Sequence, residues 1–463
     1  MERQLHRRRY GSVSTDQSGK LVLLRRGRIM SMQRLFNVAA VLYILIYAGE
    51  GVVRYGLYSI GHDDAILLRD LLIIVPLGLL FVAQALRGRV HPAFAVFAAI
   101  VAVHGAIAMF NLSTYVPAIY GAKLLINLLF GFLAARELLN PGPRTMTIFA
   151  LIWLVSITGV VLDKFLYTFP WTGLETHIGG IRVDISRGWD IDDSFDKRVA
   201  GFTRSSISAA MLLPILATIM APRIRNMILR FLVLTITVGA VFLTTQKGAV
   251  IAIAAVTVIL CAPRWSWYGL LCFACVMFAV LDVALPVLSA GLLMPQSAGV
   301  FSFASFAMRI TLTWPEAWQW IANHNVFPFG VGLGGIGGAQ RFYAADFFNP
   351  SDNLFVYLYA NFGVFGLAYL AWVTALGPRL PRIARPEALQ ALAVLAFILG
   401  YGAALSMLED QMAALFVAAA AGMLWQLRQE VFVRNWSDSY QGSWLRRARP
   451  SMTPGFAPLQ VPR

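Results

Sequence analysis

Long apolar runs separated by short basic stretches set the pattern of this chain. Runs of about 18 residues or more, the length a helix needs to cross a bilayer core, centre on 36–53, 65–86, 92–110, 117–135, 145–163, 205–221, 227–244, 248–262, 268–288, 353–376, 388–406 and 411–427. Each predicts a membrane-spanning helix. The eighth is short, which leaves eleven or twelve spans, and the charges between the runs decide for about twelve.

If the N-terminus lies inside, the inner connections hold Arg87 and Arg89, Arg136 and Arg144, Arg223 and Arg225, Arg264, then Arg379, Arg382 and Arg385. Every second connection is then basic, as the positive-inside rule requires. Residues 1–34 carry nine Lys or Arg against Glu2 and Asp16, and 429–463 add Arg434, Arg446, Arg447, Arg449 and Arg463. The organisation expected is a basic cytoplasmic tail at 1–34, a membrane domain at 35–428 and a second cytoplasmic tail at 429–463. The first tail lacks the early apolar stretch and small-residue cleavage site of a signal peptide, and its placement suits anionic lipid. Aromatic residues do not interleave with its arginines as they would at a nucleic-acid surface, so no nucleic-acid partner is expected.

Composition agrees. Of 463 residues 58% are hydrophobic and 13% charged, where a soluble domain has about 25% charged. Mean hydropathy is +0.67. These values exclude a soluble enzyme, a disordered scaffold and a secreted disulfide framework. The three cysteines, Cys261, Cys272 and Cys275, all fall in apolar runs and read as small core residues. Arg69, Asp70, Lys123 and Asp282 lie inside spans, where charge is costly, so each needs a partner or a cavity; Lys123 could meet Asp70 or Asp282.

Two outer connections are long, at about 164–204 and 289–352, and long loops usually carry function. The first is polar, with an acidic cluster at 190–196 beside Arg182, Arg187, Lys197, Arg198 and Arg204. In the second, Phe306, Ile310, Trp314, Ala317, Trp318 and Ile321 recur at helical spacing and predict an amphipathic interfacial helix, its tryptophans at headgroup depth and its course disturbed at Pro315. Six glycines follow between Gly330 and Gly338, then Asn349-Pro350-Ser351-Asp352-Asn353. No strand precedes the glycines and no Lys-Ser or Lys-Thr follows them, which argues against a nucleotide loop. Ser351, Asp352 or Asn353 would cap the tenth span. The six histidines lack ligand spacing and the 190–196 cluster lacks the glycine and glutamate of a calcium loop, so no metal is expected.

Taken in order, Arg198-Val-Ala-Gly201-Phe-Thr-Arg204, Thr244-Thr-Gln246-Lys247-Gly248, Arg309 with its aromatic helix, Pro328-Phe-Gly330-Val-Gly332-Leu-Gly334 and Ser351-Asp352-Asn353-Leu354 resemble the signature region of the O-antigen ligase and Wzy-type polysaccharide polymerase superfamily. The resemblance spans about 198–376. It implies an all-α polytopic bundle, GT-C-like, whose two long periplasmic loops contain amphipathic helices. It implies a bacterial inner-membrane glycosyltransferase, free of metal and cofactor, that takes glycan from an undecaprenyl-diphosphate carrier. Its partners would be that lipid-linked glycan, membrane lipid, and chain-length regulator or export proteins.

The implied site has Arg198, Arg204, Lys247 and Arg309 on the diphosphate, because fixed cations stabilise the charge that develops on a leaving diphosphate and arginine matches phosphate oxygens with two parallel bonds. Asp352 stands where the ligase branch has histidine and would act as base or orient the acceptor. Asn353, Trp314, Trp318 and His324 would contact glycan or acceptor, with His324 a reserve base. Read without the resemblance, Arg198 and Arg204 could be ion pairs with the acidic cluster, Lys247 a snorkelling span end, and Asp352 a helix cap. The Ser-Asp-Asn spelling favours a polymerase of exopolysaccharide or O-antigen repeats. A ligase joining finished glycan to lipid or protein is the sister expectation, and a flippase of lipid-linked sugars or a non-enzymatic assembly partner the expectations of other classes.

Overall fold

The structure, a computed structural model, describes residues 17–178, 181–186, 197–289, 304–378, 380 and 385–447. The acidic cluster 190–196 and the loop residues 290–303 lie outside these. In chain order the helices are α1 (Gln17–Ala48), α2 (Glu50–Ser59), α3 (Leu71–Ala85), α4 (Pro92–Leu112), α5 (Val116–Leu133), α6 (Ala135–Leu139), α7 (Pro143–Phe165), α8 (Ser206–Met220), α9 (Met227–Leu243), α10 (Lys247–Cys261), α11 (Trp267–Leu288), α12 (Ala304–Met308), α13 (Trp314–His324), α14 (Gln340–Tyr343), α15 (Leu354–Phe362), α16 (Val364–Leu376), α17 (Pro386–Gly402) and α18 (Gln411–Arg447).

The chain is an all-α polytopic membrane protein, and every one of the twelve apolar runs is helical. Helices satisfy their own backbone groups, which hydrocarbon requires. Among the described residues six helices are long and apolar enough to cross a membrane alone. Met32–Ala48 and Glu50–Ser59, bent by 76° at Gly49, make a seventh if counted as one span. Helices α9, α10, α16 and α17 are apolar but shorter.

The core is built around α8 and α17. Every residue of α8 except Ile207 is buried, and α17 packs on α8, α10, α11 and α18. Peripheral helices turn apolar side chains outward instead, such as Phe110, Ile228, Val258 and Phe273, as expected of surfaces solvated by lipid. Small residues let backbones approach: a methyl on Gly422 of α18 would lie 2.5 Å from the Phe132 carbonyl oxygen of α5.

Charges within the spans are paired rather than scattered. The Glu50 carboxylate takes Arg54 at 2.7 Å and Arg69 at 2.8 Å, and Lys123 meets Asp70 at 2.8 Å. Among the described residues Asp282 is buried with neither carboxylate oxygen hydrogen-bonded, and Arg230 of α9 lies over the Trp267 ring with no carboxylate beside it.

The first long loop corrects one expectation. In place of an amphipathic helix its described residues form an antiparallel hairpin, β1 (Glu175–Ile178) with β2 (Ile181–Asp184), in the register Glu175 to Asp184. The reason is local: Gly179-Gly180 between two short alternating segments is a hairpin turn signal. The second loop does carry its amphipathic helix, α12 to α13, but the apolar stripe Trp314, Ala317 and Ile321 is buried in the protein core and not in the lipid interface.

Candidate active site

The functional residues gather at one end of the bundle, at the N-termini of α8, α10, α15 and α18 and the C-terminus of α17. Arg223, Arg264 and Arg385 occupy the opposite ends of α8, α10 and α17, so the site and the basic connections face opposite sides.

Arg309 opens a π-helical turn, Arg309–Thr313, between α12 and α13. Pro315 has no N–H to return to the Thr311 carbonyl, so the ladder widens just ahead of it. From this turn the Arg309 Nε reaches the Asp352 Oδ2 at 3.2 Å, with both side chains about one-fifth exposed. The Arg198 guanidinium acts on the same carboxylate through space.

Asp352 is not the helix cap. The Asn353 Oδ1 accepts the Val356 N–H at 3.0 Å, while its Nδ2 donates to the Asp282 carbonyl at 3.1 Å. Asn353 is wholly buried, so its expected contact with glycan gives way to a structural role. Its neighbours are held in left-handed backbone, Ser351 at φ 57° and Asp352 at φ 40°. Such conformations cost of order 1–3 kcal/mol and concentrate at functional sites. Burial pushes the Asp352 carboxyl above the usual carboxylate range, against the pull of Arg309 and Arg198.

Asn349 ties this loop to the arginine helix. Its Nδ2 donates to the Thr313 carbonyl at 2.9 Å and its Oδ1 accepts the Ser351 N–H at 2.8 Å. Gln340, fully buried, accepts the N–H of Asn349 and of Gly337 through its Oε1.

The segment bearing Arg198 and Arg204 is fixed by Asp163, whose Oδ2 accepts the N–H groups of Ala200 and Gly201 at 3.0 Å each. Gly201 stands at φ 59° with its Cα against the Gly159–Val160 backbone, where a side chain would clash. Phe202 then packs on Phe169 and Trp171. Arg198 acts through space on Asp352 and Tyr401, whereas Arg204 acts through space on Glu50 and Tyr120. The expected arginines therefore divide, one beside the Arg309–Asp352 pair and one towards the Glu50 network. Lys247 is exposed at the start of α10. Its neighbour Gln246 enters the cluster, accepting from the Tyr401 hydroxyl at 3.1 Å and donating to Ser206 at 3.0 Å.

Two carboxylates that the sequence did not single out stand nearby. Glu409 accepts the Gly338 N–H at 2.6 Å, and burial lifts its carboxyl to about 7. Asp410 accepts the Tyr47 hydroxyl at 2.6 Å and the N–H groups of Met412 and Ala413, and burial raises it as well. The glycine loop is a packing device. Gly334 and Gly335 donate to Asn361, Gly337 to Gln340 and Gly338 to Glu409, so these amides are already occupied.

Three further expected residues lie apart from the Arg309–Asp352 pair or are packed against the protein. Trp314 is 1% exposed and cannot face a glycan. Trp318 is half-buried against Phe355 and Tyr359 of α15. His324 stacks on Trp320 at 4.0 Å with its Nδ1 3.0 Å from the Trp320 carbonyl. At 1.5 Å per residue it lies about 20 Å along the helix from Arg309, too far to serve as base there. Among the described residues no group of three or more His, Cys, Asp or Glu is placed to hold a metal ion.

No curated protein matches the chain. Residues 231–371, from α9 into α16, match the family model described as O-antigen ligase. This stretch takes in Lys247, Arg309 and Asp352 and leaves Arg198 and Arg204 outside. Over these residues, under a third of its length, the chain is similar to the O-antigen ligase family.

Proposed function

We propose that the protein is a polysaccharide polymerase of the bacterial inner membrane, both tails cytoplasmic, that moves glycan from an undecaprenyl-diphosphate carrier to a lipid-linked repeat unit on the periplasmic face. The observation that carries this reading is the Arg309–Asp352 pair, held by an arginine on a π turn and a carboxylate in left-handed backbone.

In the proposed step the sugar–diphosphate C–O bond breaks as the acceptor hydroxyl oxygen bonds the anomeric carbon. The electron pair leaves with the diphosphate, whose charge Arg309 and Arg198 stabilise. The hydroxyl proton passes to Asp352. In the unliganded pair Arg309 holds Asp352 down. When diphosphate oxygens engage Arg309, that restraint weakens and the incoming negative charge adds to the effect of burial. Substrate binding thereby raises the affinity of Asp352 for a proton at the moment a base is needed. No metal enters this scheme.

The sister reading, a ligase, is favoured by the family description of the matched stretch. Reconstitution of the full chain with lipid-linked repeat units separates the readings. A ladder of lengthening products supports the polymerase, and a single product of transfer to a second acceptor supports the ligase. Translocation without a new glycosidic bond refutes both.

A further inference from the structure

A deep cavity lies at the other end of the bundle. It encloses about 950 Å³ between α1, α3, α4, α5, α16 and α18 and is walled mainly by aliphatic and aromatic side chains. Its depth follows from the helices around it. Along α4 the wall runs from Pro92 to Ile100 and along α18 from Ala418 to Gln429, which is about 12 and 17 Å at 1.5 Å per residue. A bilayer core is about 30 Å thick. The cavity therefore has the depth of one leaflet.

Its mouth has the character of a headgroup zone. Trp372 and Trp425 pack there at 6.1 Å, where aromatic residues gather at membrane interfaces. Arg87 stands exposed at the rim, its side chain making no hydrogen bond or ion pair among the described residues. Arg136 shares Glu430 with Arg385, whose own bond to it is 2.9 Å, so that corner keeps one positive charge in excess. Glu137 and His91 complete the rim, and burial drives both towards their neutral forms.

We infer that this cavity binds one anionic phospholipid, with its acyl chains between α4, α5 and α18 and its phosphate on Arg87 and Arg136. The site stands at the opposite end from Arg309 and Asp352 and is independent of the proposed reaction. A lipid held there would support the α4–α5 and α5–α18 contacts from the side, as a structural or regulatory ligand.

The test uses the purified full chain in nanodiscs of phosphatidylcholine doped with phosphatidylglycerol, followed by native mass spectrometry. One phosphatidylglycerol per chain should be retained in preference to phosphatidylcholine. Arg87→Glu reverses a charge at the headgroup, and Val96→Trp fills the mouth. Both positions are exposed, so the packed core is untouched and the unfolding midpoint should not move. Arg87→Glu should lower retention roughly tenfold or more, since each basic residue near an anionic headgroup contributes about a factor of five, and Val96→Trp should lower retention by taking the space of the acyl chains. Equal retention of the two lipids, wild-type retention by both variants, or displacement of phosphatidylglycerol by an isoprenyl phosphate would each overturn the proposal.

Discussion

Asn349 donates its side-chain amide to the Thr313 carbonyl at 2.9 Å, joining the loop that carries Asp352 to the π turn that carries Arg309. The two members of the candidate pair are 43 residues apart in sequence, on separate elements, and each is short and irregular locally. A fixed cross-link between the two is what lets a 3.2 Å ion pair serve as a preorganised unit.

Breaking that link gives the first prediction. Asn349→Asp keeps the acceptor for the Ser351 N–H but loses the donor to Thr313, whereas Asn349→Ala loses both. Each hydrogen bond is worth about 0.5–1.5 kcal/mol, so both variants should stay folded. Displacement of about 1 Å in a reacting group can cost roughly a hundredfold in rate. Turnover should therefore fall by about tenfold or more in both, with the change in kcat rather than KM. Normal kcat in Asn349→Asp would show that the link has no role in positioning.

The second prediction separates the two neighbours that share one sequence motif. Asn353→Ala removes the cap of α15 and should cost about 0.5–2 kcal/mol of stability. Asp352→Asn should leave the unfolding midpoint nearly unchanged yet remove the proton acceptor, and Asp352→Gly should behave alike, since glycine takes φ 40° without strain. Activity should be lost in both Asp352 variants at matched protein levels. Wild-type product lengths from Asp352→Asn would remove this carboxylate from the chemistry.

Arg309 and Asp352 stood out singly in the sequence because they sit in motifs of distinctive order, but their ion pair depends on the fold. The helices were legible because hydrocarbon enforces long apolar runs. The wider site was not. Asn349 belongs to an ordinary turn sequence, and only its contact with Thr313 gives it importance. Glu409 and Asp410 begin a span whose first charges read as an unremarkable helix start, and their burial depends on packing against Gly338 and Tyr47. His324 misled because proximity in sequence is distance along a helix. The strand pair Glu175–Ile178 with Ile181–Asp184 is short and sits among charged residues, so its alternation is weak beside the long apolar runs.

A third prediction concerns pH. The Glu409 carboxyl is raised to about 7 in the folded chain from an ordinary value of 4.5. Between those values the folded state binds more protons than the unfolded one, so stability falls as pH rises. The loss is complete above about pH 7. Glu409→Gln stays neutral and keeps an oxygen for the Gly338 N–H, so it should flatten the decline between pH 5 and 7. Asp352 and Asp410 shift the same way, so some decline at lower pH remains. Thermal unfolding of both forms across this range checks it. An unchanged slope in Glu409→Gln would mean that Glu409 is ionised throughout.

The last prediction fixes the side on which the site works. Site residues crowd the N-terminal ends of α8 and α10 and the C-terminal end of α17, and Arg223, Arg264 and Arg385 stand at the other ends, so a membrane oriented by the positive-inside rule puts Arg309 and Asp352 outside the cytoplasm. His177 in the hairpin is exposed on the site's loop, and Arg89 is exposed in the α3–α4 connection. In chains whose only cysteine is His177→Cys, an impermeant thiol reagent should label intact inner-membrane vesicles of right-side-out orientation. With Arg89→Cys, labelling should require permeabilised vesicles. The native cysteines should be replaced first, since Cys261 is only partly buried. The opposite pattern would place the Arg309–Asp352 pair in the cytoplasm, away from any periplasmic glycan, and would overturn the proposed reaction.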